Sequence, residues 1–162
     1  MVVVDSSVLI PLSRIGKLSL LKKFFKKIKI TQDVYDEIIT GNIGFSEVEK
    51  AFKDWILLGK VKTSSEVDKL SKLEGIENAD APIILLAEEK HDIILSNDFS
   101  LIIIARSKGI ECWWLTTFLL RCTGRKIITK KEAKQILFDL VQAGMRLSND
   151  VYAAILKEIE DM

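Results

Sequence analysis

Apolar and polar positions along this chain fall into two alternating patterns. The apolar run Val2–Val4 reads as a short buried strand, and Ile93–Ser96 and Ile110–Trp113 read as further strands. Between them, apolar residues recur at helical spacing. Leu18, Leu21, Phe25 and Ile28 form one stripe over Lys17–Ile28, with lysines opposite. Lys29-Ile30 then reads as a short strand. Thr31 is placed to cap a helix running through Ile39 and stopped by Gly41. Ser46-Glu47-Val48-Glu49 has the capping-box pattern and predicts a helix running towards Leu58, ended by Gly59. Val61-Lys62-Thr63 reads as a short strand, Ser65–Leu73 as a helix and Gly75–Asn78 as a loop. Ala79–Lys90 is a predicted helix that tolerates Pro82 in its first turn. Phe99–Lys108 is another, ended by Gly109. Three more are predicted over Thr116–Arg121, Thr129–Ala143 and Ser148–Ile159, the second opened by the capping box Thr129-Lys130-Lys131-Glu132. No internal repeat or low-complexity segment interrupts the series. The alternation predicts an α/β fold, a parallel sheet flanked by helices, with a helical C-terminal extension.

The length of 162 residues suits one domain, with an α/β core over about residues 1–115 and the extension over about 116–162. Hydrophobic content of 48% and charged content of 29% fit a globular protein, and two prolines and eight glycines argue against long linkers. The net charge of +1 gives no whole-molecule pull on nucleic acid, so any basic surface must be local. The N-terminal pattern is not that of a secretory signal, and no apolar run approaches the ~18 residues of a membrane span. A cytoplasmic protein is expected, and Cys112 and Cys122, which form no CxxC pair, are expected to be reduced and partly buried. His91 is the only histidine and reads as a helix-end residue. One His and two separated Cys do not make the ligand set of a structural zinc site. Nothing near His91 suggests a Ser-His-Asp triad.

Candidate chemistry rests on four acids. Asp5 follows the first apolar run and Asp98 follows the run at Ile93 through Ser96-Asn97. An acid just past a buried strand sits at the sheet rim, where open α/β folds bind ligands. Glu37 and Asp80 fall on predicted helices. If the four converge, their charges must be answered, because two unit charges ~4 Å apart repel by about 4 kcal/mol at an effective dielectric of ~20. Proton uptake or a bound cation are the two answers, and a divalent metal held by carboxylates is the simplest. Each acid also has an ordinary explanation. Asp98 could only cap the next helix, and Asp80 could only complement a helix dipole. Glu37 shares its helix with Asp33 and Asp36. Glu77 and Asp92 read as ordinary surface acids.

Taken in order, these segments resemble the PIN domain family of metal-dependent ribonucleases. The likeness is greatest to the branch typified by VapC-like toxins of prokaryotic toxin–antitoxin pairs and to a neighbouring branch of uncharacterised prokaryotic PIN-like proteins. It covers nearly the whole chain. Val3-Val4-Asp5-Ser6-Ser7 resembles the family's first strand and first acid, and Val34-Tyr35-Asp36-Glu37-Ile38 its second acidic motif. Asn78-Ala79-Asp80-Ala81-Pro82 resembles the third, Ile94-Leu95-Ser96-Asn97-Asp98-Phe99 the fourth, and Trp114–Leu120 the stretch after the last strand. The resemblance implies acids gathered at the C-terminal edge of a parallel sheet. It implies Asp5, Glu37, Asp80 and Asp98 as catalytic metal ligands for Mg²⁺ or Mn²⁺, with Asp5 and Asp98 central. Ser6, Ser96 and Asn97 are expected to support the carboxylates from behind. It also implies an RNA substrate and a small antitoxin partner and, with the apolar stripe on the last predicted helix, a homodimer; the absence of a long apolar run implies no membrane. Two departures stand out. Many relatives carry a second acid shortly after the fourth, and here Phe99-Ser100 follow Asp98. A basic residue early in the next helix is replaced by Leu101-Ile102-Ile103-Ile104, with Arg106 the first cation.

The chemistry suits the composition. Mg²⁺ and Mn²⁺ prefer carboxylate and water oxygens, and such ions activate water and stabilise developing charge in phosphodiester hydrolysis. The rival from another class is a non-catalytic RNA- or protein-binding module with a degenerate site. A haloacid-dehalogenase-type phosphatase needs Asp-x-Asp where this chain has Asp5-Ser6-Ser7, and a receiver domain needs an N-terminal acidic pair that is absent.

Several features keep two readings. Lys22, Lys23, Lys26, Lys27 and Lys29 are either a wet helix face or an RNA backbone contact, as are Arg121, Arg125, Lys126, Lys130, Lys131 and Lys134. Trp113 and Trp114 could stack on bases, but adjacent strand residues point to opposite faces, so at least one is expected in the core. Val151, Ile155 and Ile159 form an apolar stripe for the chain's own domain or a second subunit.

Overall fold

The three valines Val2–Val4 are fully buried and form β1, the middle strand of a five-stranded parallel sheet. The computed structural model describes residues 1–41, 45–61, 64–75 and 80–162. The other strands are β2 (Ile28–Ile30), β3 (Ile56–Leu58), β4 (Ile93–Leu95) and β5 (Cys112–Trp113). The sheet order is β3-β2-β1-β4-β5, and every pairing is parallel. Continuous apolar runs make such strands because helices cover both faces.

That order has a consequence for function. From β1 the chain builds outward through β2 and β3, then crosses back and continues on the other side through β4 and β5. The direction of winding therefore reverses between β1 and β4. At such a switch point the connections diverge and leave a crevice at the strands' carboxyl ends. Asp5 and Ser96–Asp98 are the residues that leave β1 and β4 there.

Helices fill the connections. They are α1 (Ser6–Arg14), α2 (Ser19–Phe25), α3 (Gln32–Thr40), α4 (Phe45–Phe52), α5 (Ser64–Glu74), α6 (Ala81–Lys90) and α7 (Phe99–Ser107), with α8 (Leu115–Gly124), α9 (Lys130–Gln142) and α10 (Asn149–Asp161) in the extension. The caps proposed from sequence at Thr31 and Thr129 are present, and Ser148 adds one the sequence reading did not name. The Thr31 hydroxyl accepts from Val34 N–H at the start of α3, and Ser148 accepts from Val151 N–H at α10. Thr129 and Glu132 form a reciprocal capping box at α9.

Some expectations fail, each for a local reason. Residues 6–14 form a helix the pattern did not suggest, burying Val8, Leu9 and Leu12. The helix expected over Lys17–Ile28 ends at Phe25, because Lys26 takes a left-handed φ of 70° and Ile28 joins the sheet. Ser46 lies inside α4 rather than capping it, since that helix begins at Phe45. The segment expected to carry that helix to Leu58 is instead edge strand β3, with Ile28, Lys29 and Ile30 paired to Ile56, Leu57 and Leu58. Gly59 closes this strand rather than a helix. A Cβ there would meet the Leu86 side chain. The strand expected at Val61-Lys62-Thr63, the loop at Gly75–Asn78 and Glu77 fall wholly or partly outside the described residues.

Asp92 is not a surface acid. It is buried at the start of β4, where Lys29 donates to its Oδ2 at 2.6 Å and the Met1 amine lies 3.1 Å from its Oδ1. Ile155 and Ile159 are buried against the chain's own α8 and α9, while Val151 stays exposed. Cys112 and Cys122 are both free and buried. Among the described residues, no helix is long and apolar enough to cross a membrane.

Candidate active site

A cavity of 680 Å³ opens at the switch point. Its wall contains Asp5, Glu37, Asp80 and Asp98, the four acids proposed from sequence. They arrive from four different elements. Asp5 leaves β1, Glu37 stands on α3, Asp80 precedes α6 and Asp98 leaves the β4 loop. A fifth acid, Asp33, joins them one turn before Glu37 on the same face of α3. Asp36, pointing elsewhere, accepts from Gln32 at 2.7 Å.

Three of the acids share a placement. Asp5, Asp80 and Asp98 occupy the N-cap positions of α1, α6 and α7. The positive ends of three helices are thus turned towards the carboxylates. Each N-terminus carries roughly half a positive charge, which favours an anion beside it. Only Asp98 caps through its side chain, its Oδ1 accepting from Leu101 N–H at 2.8 Å. Its ordinary capping role is therefore real, and its second oxygen is not used by that bond. Burial grades from Asp5, which is buried, through Asp80 and Asp98, which are half-buried, to the exposed Glu37 and Asp33.

Asp5 is the most tightly held. Its Oδ2 accepts from the Ser96 hydroxyl at 3.0 Å and from Ser7 at 2.5 Å. Ser6 reaches Oδ1 at only 3.5 Å. The two serine hydroxyls lie 3.3 Å apart. Backbone amides complete the cluster, Asn97 N–H donating to Ser7 Oγ at 2.8 Å and Asp98 N–H to Ser96 Oγ at 3.0 Å. One network thereby joins the ends of β1 and β4.

This network revises the supporting residues. Ser7, not Ser6, is the principal partner of Asp5 on α1. The Asn97 side chain turns away from the carboxylates, and its Oδ1 accepts from Leu115 N–H at 3.2 Å, tying the β4 loop to the start of α8. Sequence reading also missed Arg14, the one cation among the described residues lining the cavity; it donates to the Ala143 carbonyl at 3.4 Å. Its spacing from Ser7, Ile10 and Pro11 on one helix face was the available signal, hidden because α1 was not foreseen.

Among the described residues, no three His, Cys, Asp or Glu side chains are arranged as a ready metal cage. The donor set nonetheless suits Mg²⁺ or Mn²⁺. It is all oxygen, without His or Cys, and Mg²⁺ takes one or two carboxylates and completes its shell with water and substrate phosphate.

A family model described as DUF3368, PIN domain, matches residues 1–161. This chain belongs to the PIN domain family. PIN domains are in general nucleases and in general use divalent metal ions. The fold is also similar to the crystal structure of PAE2754 from Pyrobaculum aerophilum, with a TM-score of 0.57 and 18% identity. That likeness covers 76% of this chain and 95% of PAE2754, and it speaks to fold alone. No curated protein matches this sequence.

The remaining features of this PIN domain sort themselves. Trp113 is buried, with its indole N–H on Glu111 at 2.7 Å, while Trp114 is half-buried. Many basic residues are engaged within the chain. Lys22 pairs with Asp54, Lys29 with Asp92 and Lys134 with Glu160. Arg121 and Arg125 lie over the Trp113 and Phe24 rings at 4.0 and 4.1 Å.

Proposed function

We propose that this protein is a metal-dependent endoribonuclease that hydrolyses RNA phosphodiester bonds, with Asp5, Glu37, Asp80 and Asp98 as its metal ligands. The observation that carries the reading is the meeting of these four acids around one cavity at the switch point. A bound Mg²⁺ or Mn²⁺ would supply an activated water and offset the charge developing on the phosphate. The chain's own contribution is orientation. Ser7 and Ser96 hold the Asp5 carboxylate in one rotamer, and the cap bond to Leu101 does the same for Asp98. Glu37 and Asp33, exposed on α3, have the freedom to bind metal through water or to orient the attacking water. Arg14 offers a fork of donors for a phosphate at the cavity rim.

Within that reading the protein is a toxin-like nuclease restrained by a small antitoxin and able to form a homodimer. This part rests on family analogy. The rival, a binding module with a degenerate site, draws on two observations. Phe99-Ser100 stand where many relatives carry a further acid, and no ready metal cage exists among the described residues.

One experiment separates them. Purified protein is incubated with a panel of single-stranded and structured RNAs with Mg²⁺ or Mn²⁺, with EDTA, and as the Asp5→Asn variant. Cleavage that vanishes in EDTA and in the variant supports the nuclease. Cleavage that persists in Asp5→Asn sinks the site assignment. If nothing is cleaved, calorimetric titration with Mn²⁺ decides, since a binding module takes up no metal here.

A further inference from the structure

Phe99 is the most exposed large hydrophobic residue among those described, at 67%. It sits at the first position of α7, where a polar or small residue would serve the helix as well. Its neighbours on both sides, Asp98 and Ser100, line the acidic cavity. Its ring stacks on Trp114, with centroids 6.4 Å apart and planes 29° from parallel. Trp114 itself is the N-cap of α8 and packs partly into the core. The two rings therefore stand at the N-termini of α7 and α8, just past the paired ends of β4 and β5, where Leu95 is opposite Trp113. The bond from Leu115 N–H to Asn97 Oδ1 fixes these loops to each other. Such a pair is an exposed aromatic surface adjoining a site lined by acids: neither ring is part of the cavity wall, but the residues on both sides of Phe99 are.

We propose that Phe99, backed by Trp114, is a stacking platform for a base of the single-stranded RNA entering the cavity. This rests on the nuclease reading above and adds a positioning element to it. Base stacking on an aromatic face tolerates any base and is a principal device for holding single strands. It also supplies grip that the cavity wall, rich in carboxylates, does not. A protein partner is the less favoured occupant. The cores of protein interfaces are depleted in charge, whereas this ring is bordered by Asp98 and the acidic cavity. The exposed Ile103, one turn further along α7, is the feature a protein partner would use.

The test measures binding apart from catalysis. Labelled short single-stranded oligonucleotides, one set carrying bases and one abasic, are titrated with full-length protein in EDTA. Phe99→Ala should weaken binding of the base-carrying set about ten-fold. It should leave the abasic set unchanged, and Phe99→Tyr should restore wild-type affinity. Equal affinity of Phe99→Ala and wild type overturns the proposal, as does an equal loss on both sets. A changed sedimentation coefficient with unchanged RNA affinity overturns it too, and assigns the patch to a protein interface. The nuclease reading is scored separately in Mn²⁺. If wild type cleaves RNA and Phe99→Ala does so with unchanged KM, only the platform is lost. If wild type neither binds nor cleaves any RNA, both fall.

Discussion

The Ser96 hydroxyl, fully buried, donates to Asp5 Oδ2 at 3.0 Å across 91 residues of sequence. The same oxygen accepts from Asp98 N–H. A single side chain thus sets the relation between the first and the last acid of the cavity. Removing it leaves a buried carboxylate short of a donor and a backbone amide short of an acceptor. Ser96→Ala should lower stability by roughly 1–3 kcal/mol, read as a fall in the denaturant midpoint. It should also weaken Mn²⁺ binding at the cavity. Unchanged Mn²⁺ affinity would mean that the network serves the fold alone.

Asp98 combines a cap and a proposed metal ligand, and two substitutions separate the roles. Asn caps helices about as well as Asp, so Asp98→Asn should keep the stability of α7 and lose metal-dependent cleavage. Asp98→Ala should lose both, at a cost of about 1 kcal/mol for the cap. Thermal unfolding and RNA cleavage of the two variants provide the comparison. Cleavage retained in Asp98→Asn removes Asp98 from the metal site.

Asp92 should make part of the protein's stability pH-dependent. Burial pushes its carboxyl upward, but the Lys29 hydrogen bond and the N-terminal ammonium outweigh that and hold it below the usual range. A carboxyl depressed in the folded state stabilises fully above its unfolded value of ~3.9, and that stabilisation is lost as pH falls through the folded value. Asp92→Asn breaks a largely buried pair and should cost about 3 kcal/mol at neutral pH. The gap to wild type should close below pH ~4. Urea unfolding across pH measures this, and a gap independent of pH would contradict it.

The two thiols should be inert in the folded protein. Burial pushes Cys112 up to about 11 and Cys122 up to about 12. The thiolate is the reactive form, so almost none is present at neutral pH. A disulfide reagent should label neither cysteine in native conditions and both in denaturant. Rapid native labelling of either would show that its helix or strand opens locally.

Some of this was local and therefore legible. Thr31, and Thr129 with Glu132, announce their helices because a cap is a bond across three residues. Val2–Val4 and Ile93–Leu95 announce central strands because burial on both faces demands continuous apolar sequence. An acid after each of those runs marked the cavity rim, and the order of Asp5, Glu37, Asp80 and Asp98 along the chain pointed to the family. Other features are decided at long range. Ile56–Leu58 is a strand because β2 stands beside it, and three apolar residues after a helix do not by themselves declare that pairing. The choice of Ser7 over Ser6 depends on a rotation of about 100° along α1 and on the arrival of Ser96 from the neighbouring strand. Asp92 can be buried because Lys29, 63 residues away in sequence, and the Met1 amine answer its charge. Asp33 and Arg14 joined the site through the faces their helices turn to the crevice. Caps, buried central strands and the acids that follow them were readable along the chain, since each follows from neighbours within a turn or two, whereas α1 and β3 were not. Which hydroxyls, cations and further acids meet those four is set by the folded arrangement, because such contacts depend on how distant strands are ordered in the sheet.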